Sequence, residues 1–499
     1  MRARGKICLV LADQTLEADL RHVESLRGRV DLVELRVDHL LDAEKAAAGR
    51  LPGRVGLPVI LTLRRGRDGG RFVGSESERV ALLQRLAGEG FSYVDIEEDL
   101  QAPALDAHIR ESGARIVRSL HDFSGVPPGL SRRFSALARR TDEIPKAAVT
   151  PTTCAQLAEL LDVFHPHGES ERVLLGMGEI GFSTRVLAPR LGSSWCYASP
   201  TDQAVAPGQV TPVTLEDVYR YRDITSSTDV YGVIGNPVMH SRSPMIHNRG
   251  FAALGIDAVY LPFHVPDLEG FWKVADTLAI RGLSVTVPHK QAVLGRSIRG
   301  DEVVRAVGAC NTLIRARAEG PWKGTNTDVE GFLAPLRARF GGNVPSGLGA
   351  TVIGAGGAAH AVVAALTFAG ARVLVLNRTI ENAQELAEAF GTASGGIDAE
   401  GMEAARGFSD LIVQTTSVGM RPHEDAEPAP GFNFSGHEIV YELVYAPERT
   451  CFVRRALEAG CRVVYGREML IAQAMRQFLL FTGSEYPLSL VQELANGLD

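Results

Sequence analysis

Short apolar runs alternate with amphipathic stretches over about the first 220 residues of this chain, and no other feature constrains the fold as strongly. The runs have the length of strands, and the predicted strands are residues 6–12, 31–37, 58–63, 93–97, 115–120, 144–149, 172–176 and 195–198. Segments with helical periodicity lie between them, among them residues 16–26, 76–87, 129–138 and 155–164. Eight strand–helix repeats of this total length predict a (β/α)8, or TIM, barrel over residues 1–222.

Polar residues interrupt or follow these predicted strands, where a TIM barrel gathers its catalytic groups. They are Glu34, Arg36, Arg64, His121, Lys146 and Arg185. Lys146 is the most informative, because it stands within an apolar predicted strand. It is either a partly buried lysine paired with Glu34 or Asp38, or a desolvated amine whose lowered pKa allows a Schiff base with a ketone. In the second case His121 could transfer a proton near neutral pH.

A lysine and an aspartate of the second half form a candidate proton-transfer pair. In Ser284-Val-Thr-Val-Pro-His-Lys290, the predicted strand stops at Pro288, because proline cannot donate to a sheet ladder, and Lys290 is held at the sheet edge. Gly324-Thr-Asn-Thr-Asp328 offers a carboxylate in a polar loop. If the fold brings them together, Lys290 and Asp328 could shuttle a proton in a carbonyl/alcohol interconversion. The alternative for Lys290 is a solvated surface charge.

Two serines flank Arg242 beside a predicted helix start near Pro244. The backbone N–H groups of such a helix start, together with the hydroxyl groups of Ser241 and Ser243, could bind a carboxylate. An ordinary serine helix cap is the alternative.

A glycine-rich turn predicts a dinucleotide-binding domain over residues 345–466. Ala350-Thr-Val-Ile-Gly-Ala-Gly-Gly-Ala-Ala-His360 reads as a strand, a tight turn and an alanine-rich helix, the order that a Rossmann unit needs. Gly354 would make the turn, Gly356 would let the pyrophosphate approach the backbone, and the small Ala359 would permit helix–strand packing. Arg378 follows the second predicted strand, where NAD enzymes typically carry an acidic residue, and therefore favours NADP.

Length and composition bound the remaining possibilities. The chain of 499 residues has room for about three domains. Its net charge of −7 gives no reason to expect nucleic acid or an anionic membrane as a partner. Its six cysteines include no CxxC pair, which suits a reducing compartment, and no apolar run reaches the roughly 18 residues of a membrane span. We expect a soluble cytoplasmic protein that acts on small molecules.

Several motifs of the first half resemble, in the same order, those of type I 3-dehydroquinate dehydratase. They are Val33-Glu-Leu-Arg-Val-Asp-His39, Leu61-Thr-Leu-Arg64, Ser119-Leu-His-Asp-Phe123, Ile144-Pro-Lys146, Met177-Gly-x-x-Gly with Arg185, and Ala206-Pro-Gly-Gln209. The resemblance implies that Lys146 forms an imine with the C3 ketone of 3-dehydroquinate. His121 would remove the C2 proton and help the C1 hydroxyl group to leave as water. The implied substrate-binding residues are Arg185 and Gln209 at the carboxylate and nearby oxygens, and Glu34, Arg36 and Arg64 at the ring hydroxyls.

Two positions depart from that family pattern. Asp68 stands where the family usually has a glutamate that orients the histidine, so its reach toward His121 is one methylene shorter. Val205 stands where the family's lid commonly has a serine, so one substrate hydrogen bond is missing or supplied elsewhere. We interpret both as tuning of an active site.

The second half resembles shikimate dehydrogenase along its whole length. The motifs are Gly235-Asn-Pro-x-x-His-Ser-Arg-Ser-Pro244, the two segments that hold Lys290 and Asp328, Ala309-Cys-Asn-Thr312, the glycine turn, and Leu470-Ile-Ala-Gln-Ala474. The resemblance implies that Lys290 and Asp328 handle the proton at the C3 carbonyl while NADPH delivers a hydride. Implied substrate contacts are Ser241, Ser243, Thr286, Asn311, Tyr445 and Gln473. Implied cofactor contacts are Gly354, Ala355, Gly356, Gly357, Ala358, Asn377, Arg378, Thr379, Thr416, Leu443 and Gly466.

The two resemblances predict a bifunctional α/β enzyme of the shikimate pathway. Dehydration of 3-dehydroquinate gives 3-dehydroshikimate, which the second half would reduce to shikimate. The expected architecture is the TIM barrel, a shikimate-dehydrogenase-like substrate domain over residues 229–335 completed by residues 467–499, and the Rossmann domain. Two alternatives are open: the second half could oxidise quinate or shikimate with NAD, or the barrel could be a non-catalytic scaffold.

Overall fold

The computed structural model describes residues 4–164, 171–203, 205–295, 298–317 and 320–496. The chain divides into two compact units. The first comprises Met1–Gly232, Asn236–Phe251 and Gly255–Ile280, and the second comprises Val233–Gly235, Ala252–Leu254 and Arg281–Asp499. The first unit therefore continues past the junction predicted after residue 222 and includes part of the predicted substrate domain.

Eight parallel strands of the first unit form the barrel. They are β1 (Lys6–Leu11), β2 (Leu32–Arg36), β3 (Val59–Thr62), β4 (Tyr93–Glu97), β5 (Arg115–Asp122), β6 (Ile144–Val149), β7 (Val173–Gly176) and β8 (Trp195–Ala198). Their order is β7-β6-β5-β4-β3-β2-β1-β8, and neighbouring strands in this order are parallel. The predicted TIM barrel is confirmed, and all eight predicted strands are present within one or two residues of their predicted ends.

Helices follow the barrel strands, as the alternation of the sequence predicts. They are α1 (Leu16–Ser25), α2 (Asp42–Lys45), α3 (Pro52–Val55), α4 (Glu76–Ala87), α5 (Pro103–Glu111), α6 (Leu130–Ser135), α7 (Cys154–Val163), α8 (Gly178–Val186) and α9 (Ala188–Leu191). Local caps explain several of the starts: Thr15, Ser75 and Thr153 each accept a hydrogen bond from a backbone N–H in the first turn of α1, α4 and α7.

A six-stranded sheet follows the barrel in the sequence. Its strands are β9 (Asp229–Gly235), β10 (Ala258–His264), β11 (Gly282–Val285), β12 (Arg299–Gly300), β13 (Thr312–Ile314) and β14 (Lys323–Thr325), in the order β10-β9-β11-β13-β14-β12. Its helices are α10 (Ser243–Ala253), α11 (Leu268–Thr277), α12 (His289–Ala292), α13 (Glu302–Val307) and α14 (Asp328–Phe340). The strand predicted to run to Val287 ends at Val285, and Lys290 lies in the short helix α12 rather than at a strand end.

The third sheet has the strand order of a Rossmann fold. Its parallel strands are β15 (Gly349–Ile353), β16 (Arg372–Asn377), β17 (Ala393–Gly396), β18 (Leu411–Gln414), β19 (Ile439–Glu442) and β20 (Arg462–Val464). Their order is β17-β16-β15-β18-β19-β20, so the sequence order reverses beside β15. The helices are α15 (Gly357–Phe368), α16 (Ile380–Phe390), α17 (Ala399–Ala405), α18 (Cys451–Glu458), α19 (Gly466–Thr482) and α20 (Leu488–Asn496). The predicted Rossmann domain is confirmed, whereas the exact domain boundaries stay predictions.

Within the described ranges, no helix combines the length and the apolar character that crossing a membrane requires.

Candidate active sites

Lys146 lies inside the barrel among acidic and aromatic partners. Its side chain projects from β6, and the residue is only 4% exposed. Its Nζ lies 2.9 Å from Oδ2 of Asp95 and 3.4 Å from Oε1 of Glu34, and it sits 4.3 Å from the ring centroid of Tyr197. The pairing with Glu34 was one of the two interpretations of Lys146, and Asp95 is a further partner.

The charges around Lys146 reverse the prediction made for its pKa. Burial alone would lower the pKa of this amine, but the carboxylates of Asp95 and Glu34 outweigh burial and raise it above its ordinary value. The predicted lowered pKa is therefore wrong for the protein without substrate. Lys146 is an ammonium group in this state, and it must lose a proton before it can act as a nucleophile.

His121 lies on the neighbouring strand β5 and has the opposite electrostatic character. Burial, followed by the positive charges of Arg64 and Lys146, lowers the pKa of His121 well below its ordinary value. Its Nδ1 is buried and has no hydrogen-bond partner in the described part of the chain. A neutral imidazole with an uncommitted ring nitrogen is suited to accept a proton from a bound molecule.

Arg64 connects the acidic groups of the barrel interior. Its guanidinium lies 2.9 Å from Oδ1 of Asp95 and donates to Oε1 of Glu97 at 3.1 Å and to Oγ of Ser119 at 3.0 Å. Burial alone would raise the pKa of Asp95, but Arg64 and Lys146 together hold it well below its usual range. The carboxylate of Asp95 therefore remains ionised and bridges the two cations.

Asp68 and Arg36 are each engaged by a residue close in sequence. Asp68 accepts a hydrogen bond from Nε of Arg65 at 2.6 Å, and no ion pair joins it to His121 among the described residues. Arg36 makes two hydrogen bonds to Asp38, at 3.0 and 2.8 Å. The proposed orientation of His121 by Asp68 therefore has no contact to support it in this state and stays a prediction.

Arg185 and Gln209 meet at the segment of residues 205–209, called the lid segment below. Arg185 is 1% exposed, and its Nη2 donates to the carbonyl of Pro207 at 3.0 Å, whereas Nε and Nη1 have no hydrogen-bond partner in the described structure. The amide oxygen of Gln209 accepts from the backbone N–H groups of Val205 and Ala206. Unpaired donors on a buried guanidinium are costly, so they indicate a place for an anion such as a carboxylate.

The predicted proton-transfer pair of the second unit is formed. Nζ of Lys290 donates to Oδ2 of Asp328 at 2.6 Å, and Nδ2 of Asn311 donates to Oδ1 of the same carboxylate at 2.8 Å. Asp328 is the first residue of α14, a helix start that favours a negative charge. The position that the sequence places in a polar loop is thus a helix terminus, and both oxygens of the carboxylate are occupied.

The other predicted substrate contacts of the second half lie at element ends or on α19. Thr286 follows β11, and its N–H donates to the carbonyl of Ile234 at 2.9 Å. A Cβ on Gly331 of α14 would lie 2.6 Å from Cβ of Gln473, so glycine allows α14 and Gln473 to approach closely. Tyr445 follows β19. Ser241 and Ser243 lie at the start of α10 in the first unit, where the N–H of Ser243 points to the hydroxyl of Ser241 at 3.3 Å.

The glycine turn after β15 fits a dinucleotide. Gly354 has a φ of +111°, and a Cβ there would lie 2.5 Å from Oγ1 of Thr415, so only glycine suits this position. A Cβ on Gly356 would meet nothing within 4 Å, which leaves open space beside the turn. Helix α15 begins at Gly357 without a side-chain cap, so its first N–H groups are available to a phosphate.

The remaining predicted cofactor contacts lie at the carboxyl ends of the parallel strands. Asn377 ends β16 and donates to the carbonyl of Thr379 at 2.9 Å, and the intervening Arg378 is exposed. A Cβ on Gly466 would lie 2.5 Å from the carbonyl oxygen of Leu443, so glycine allows these two backbones to meet. The other positions are Ala355 in the turn, Ala358 in the first turn of α15 and Thr416 after β18.

Lys290 lies next to the glycine turn as well. A Cβ on Gly357 would come 3.9 Å from Cδ of Lys290, so this side chain reaches the start of α15. The predicted proton donor therefore lies beside the turn that fits a dinucleotide.

Four contributing residues were missed by the sequence interpretation. Asp95 and Glu97 stand two residues apart on buried β4, so both face the barrel interior, and this spacing of charges in an apolar strand was a usable signal. Tyr197 carried no such signal. Gln477 of α19 accepts from Ser284 at 2.8 Å and donates to Thr312 at 2.9 Å, and it lies one helical turn after Gln473.

The fold and these two sites define a two-site enzyme, with a lysine-centred TIM barrel followed by a Rossmann-type oxidoreductase. Family models match both parts: residues 7–226 match type I 3-dehydroquinase, residues 233–313 match the shikimate dehydrogenase substrate binding domain, and residues 343–420 match shikimate/quinate 5-dehydrogenase.

Known relatives cover the whole arrangement. The chloroplastic bifunctional 3-dehydroquinate dehydratase/shikimate dehydrogenase of Arabidopsis thaliana is 32% identical over 489 residues, which is 93% of this chain and 79% of the relative. NADP(+) shikimate dehydrogenases of Moorella thermoacetica and Methanopyrus kandleri are 40% and 41% identical over 54% of this chain, and the matches cover 94% and 96% of those proteins.

The chain belongs to the family of bifunctional 3-dehydroquinate dehydratase/shikimate dehydrogenases. It therefore combines a lyase and an oxidoreductase of the shikimate pathway, and both predicted enzyme classes are confirmed. The two relatives of the second half are NADP(+) enzymes, in agreement with the cofactor predicted from Arg378.

Proposed function

We propose that this chain dehydrates 3-dehydroquinate through a Schiff base at Lys146 and reduces the resulting 3-dehydroshikimate to shikimate with NADPH at the Lys290–Asp328 pair. The observation that carries the first step is that a buried lysine and a histidine of lowered pKa lie on adjacent strands of the barrel. The 2.6 Å contact between Lys290 and Asp328 beside the glycine turn carries the second.

In the first step, a proton leaves the Lys146 ammonium, the amine attacks the C3 ketone, and the proton returns as the former ketone oxygen leaves as water, which forms a protonated imine. His121 accepts the proton from C2, and the electrons delocalise into the imine. The C1–O bond then breaks, the hydroxyl takes the proton from His121, and water leaves. Hydrolysis of the imine frees the enone product and restores Lys146. Arg185 supplies donors to the substrate carboxylate.

In the second step, NADPH, when bound, would supply a hydride for the C3 carbonyl carbon. Lys290 donates a proton to the developing alkoxide, and Asp328 holds the ammonium at that place. Asn311 keeps the carboxylate in position through its hydrogen bond to Oδ1. Gly354, Gly356 and the start of α15 would hold the pyrophosphate. The roles of Ser241, Ser243, Tyr445, Thr286 and Gln473 at the substrate stay predictions, as does a cytoplasmic location.

The deciding experiment supplies the purified chain with 3-dehydroquinate and NADPH and identifies the product. Oxidation of NADPH with formation of shikimate is expected, because both sites must then act in sequence. If NADPH is stable until 3-dehydroshikimate is added, the barrel is inactive and the scaffold alternative holds. If quinate or shikimate oxidation with NAD is the faster reaction, the catabolic alternative holds.

Replacing Asp95 by asparagine is expected to move imine formation to lower pH. The Asp95 carboxylate raises the pKa of Lys146 more than Glu34 does, so its removal leaves mainly Glu34 to oppose burial, lowers that pKa and makes the neutral amine available at lower pH. We expect the midpoint of borohydride trapping with 3-dehydroquinate to fall by about one pH unit or more. The matched control is D42N, an exposed aspartate paired with Lys45, which should keep the wild-type midpoint. An unchanged or raised midpoint in a D95N variant that still reduces 3-dehydroshikimate would contradict this account.

Replacing Arg378 by alanine is expected to weaken NADPH use selectively. A charge-assisted contact to the 2′-phosphate contributes about 1.5–3 kcal/mol, so KM for NADPH should rise roughly 10- to 100-fold while KM for NADH stays within about twofold. R462A is the control, because Arg462 is exposed at the start of β20, on the sheet edge opposite the carboxyl ends. An equal rise in KM for NADPH and NADH would show that Arg378 does not bind the 2′-phosphate.

A further inference from the structure

The barrel packs directly on residues of the second half within the first compact unit. Asp267, the N-cap of α11, accepts from the N–H of Gly270 in its own helix at 2.8 Å and from the N–H of Cys154, the first residue of α7, at 3.3 Å. A Cβ on Gly270 would lie 2.7 Å from the backbone nitrogen of Ala155, so glycine permits the close approach of the two helices. Helix α7 follows β6, the strand that bears Lys146.

A second contact of this interface reaches α8. Nδ1 of His264, the last residue of β10, lies 3.0 Å from Oε2 of Glu179, within ion-pair distance although outside hydrogen-bonding geometry. The His264 side chain is 19% exposed and that of Glu179 is 57% exposed, so the contact is shielded from water only on the side of the histidine. Glu179 is the second residue of α8, the helix that also carries Arg185.

The start of α8 supports the lid segment. The N–H of Gly178 donates to the carbonyl of Pro207 at 3.1 Å, and Nη2 of Arg185 donates to the same oxygen at 3.0 Å. A Cβ on Gly208 would lie 2.7 Å from the carbonyl oxygen of Gly178, so the lid segment rests directly against the residue that precedes Glu179. A shift of Glu179 would therefore move the support of the lid segment and of Arg185 together.

We propose that His264, a residue of the reductase sequence, is a positioning residue for the dehydratase: through Glu179 it holds the start of α8, and thereby the lid segment and Arg185, in the substrate-binding arrangement. This inference rests on the proposed dehydration at Lys146. By this proposal, a residue of the second half supports the active site of the barrel, in addition to the reduction that the second half carries out.

The test is a double-mutant cycle in the full chain with H264A, E179A and the double variant, assayed for dehydration of 3-dehydroquinate. Each single variant is expected to raise KM three- to tenfold with kcat changed less than twofold, because the lid segment and Arg185 hold bound substrate. The double variant should show no further loss, because both changes remove one contact. H264Q, which keeps a polar side chain beside Glu179, should recover part of the affinity.

A matched control lies on the same interface. Lys273 of α11 pairs with Asp162 of α7 at 2.8 Å, and both side chains are about half exposed. K273A and D162A should keep the wild-type KM, since this pair does not touch α8 or the lid segment. Additive losses, or equal losses in the control pair, would overturn the proposal in favour of general interface stability. Wild-type KM in both single variants would also overturn it, whereas an inactive wild-type barrel would instead reject the proposed dehydration.

Discussion

Replacing Lys146 by alanine is expected to abolish dehydration of 3-dehydroquinate while leaving reduction of 3-dehydroshikimate within about twofold of the wild-type rate. The imine provides the electron sink for removal of the C2 proton, and without the amine that proton has no low-energy route of departure. Loss of a covalent catalyst that acts with a base lowers kcat by a factor on the order of 10⁴ to 10⁶.

The K146A variant also removes a buried positive charge, which is expected to lower its stability in addition to its activity. Asp95 keeps Arg64 as a partner, whereas Glu34 keeps only the hydroxyl of Thr62 among the contacts that the structure describes. Breaking a buried pair costs about 3–5 kcal/mol, so the variant should unfold at lower temperature. The methionine of the K146M variant fills more of the space left by the lysine side chain than alanine does. This variant is therefore a second test of the Schiff base.

The measurement is the appearance of the conjugated enone in the ultraviolet, combined with mass analysis after borohydride treatment. Wild-type protein should gain the mass of the reduced adduct at Lys146, and K146A and K146M should gain none. K6A, a change at the exposed start of β1, should behave as wild type. Dehydration above a few per cent of the wild-type rate in both Lys146 variants would rule out the Schiff base. Loss of reduction together with dehydration, in folded protein, would rule out two independent sites.

The barrel and the Rossmann unit could be predicted because their patterns are local. Each strand is a short apolar run, and the glycine turn directly follows a strand. Both can therefore be recognised without information on residues that are distant in sequence. The position of Lys146 followed in the same way from its apolar strand.

The electrostatic state of Lys146 could not be predicted, because it depends on partners from other strands. Asp95 lies 51 residues away in sequence, and its carboxylate changes the sign of the pKa shift that burial alone would cause. The residues around a lysine in its own strand indicate whether the lysine is buried. They do not show which carboxylates of other strands lie beside it.

The pairing of Asp68 illustrates a different limit. The side chain of Asp68 is one methylene shorter than the family's usual glutamate, and Arg65, only three residues away, donates to it at 2.6 Å, so its orientation of His121 stays a prediction. A local arginine competes well because forming this pair orders few additional residues. A match to a family motif therefore predicts where a side chain lies better than it predicts which residue that side chain contacts.

Replacing Lys290 by alanine is expected to lower the rate of 3-dehydroshikimate reduction by roughly 10² to 10⁴, the usual contribution of a positioned general acid. Dehydration should stay within about twofold of wild type, because Lys146 and its partners belong to the barrel. The loss should fall mainly on kcat. The glycine turn and the start of α15 are expected to bind NADPH without Lys290, whose Cδ only approaches the place of a Cβ on Gly357 at 3.9 Å.

A comparison of K290A with D328N separates proton donation from positioning. K290A leaves Asp328 with Asn311, so its carboxylate stays hydrogen-bonded, whereas D328N removes the charge that holds the ammonium. If Lys290 donates the proton, K290A should be the slower variant, and its rate should lose the dependence on pH that a titrating amine gives. NADPH binding measured by fluorescence should be unchanged in both variants. A K290A variant with wild-type kcat but a raised KM would instead make Lys290 a binding residue, and the proton would then have to come from another donor in the second unit.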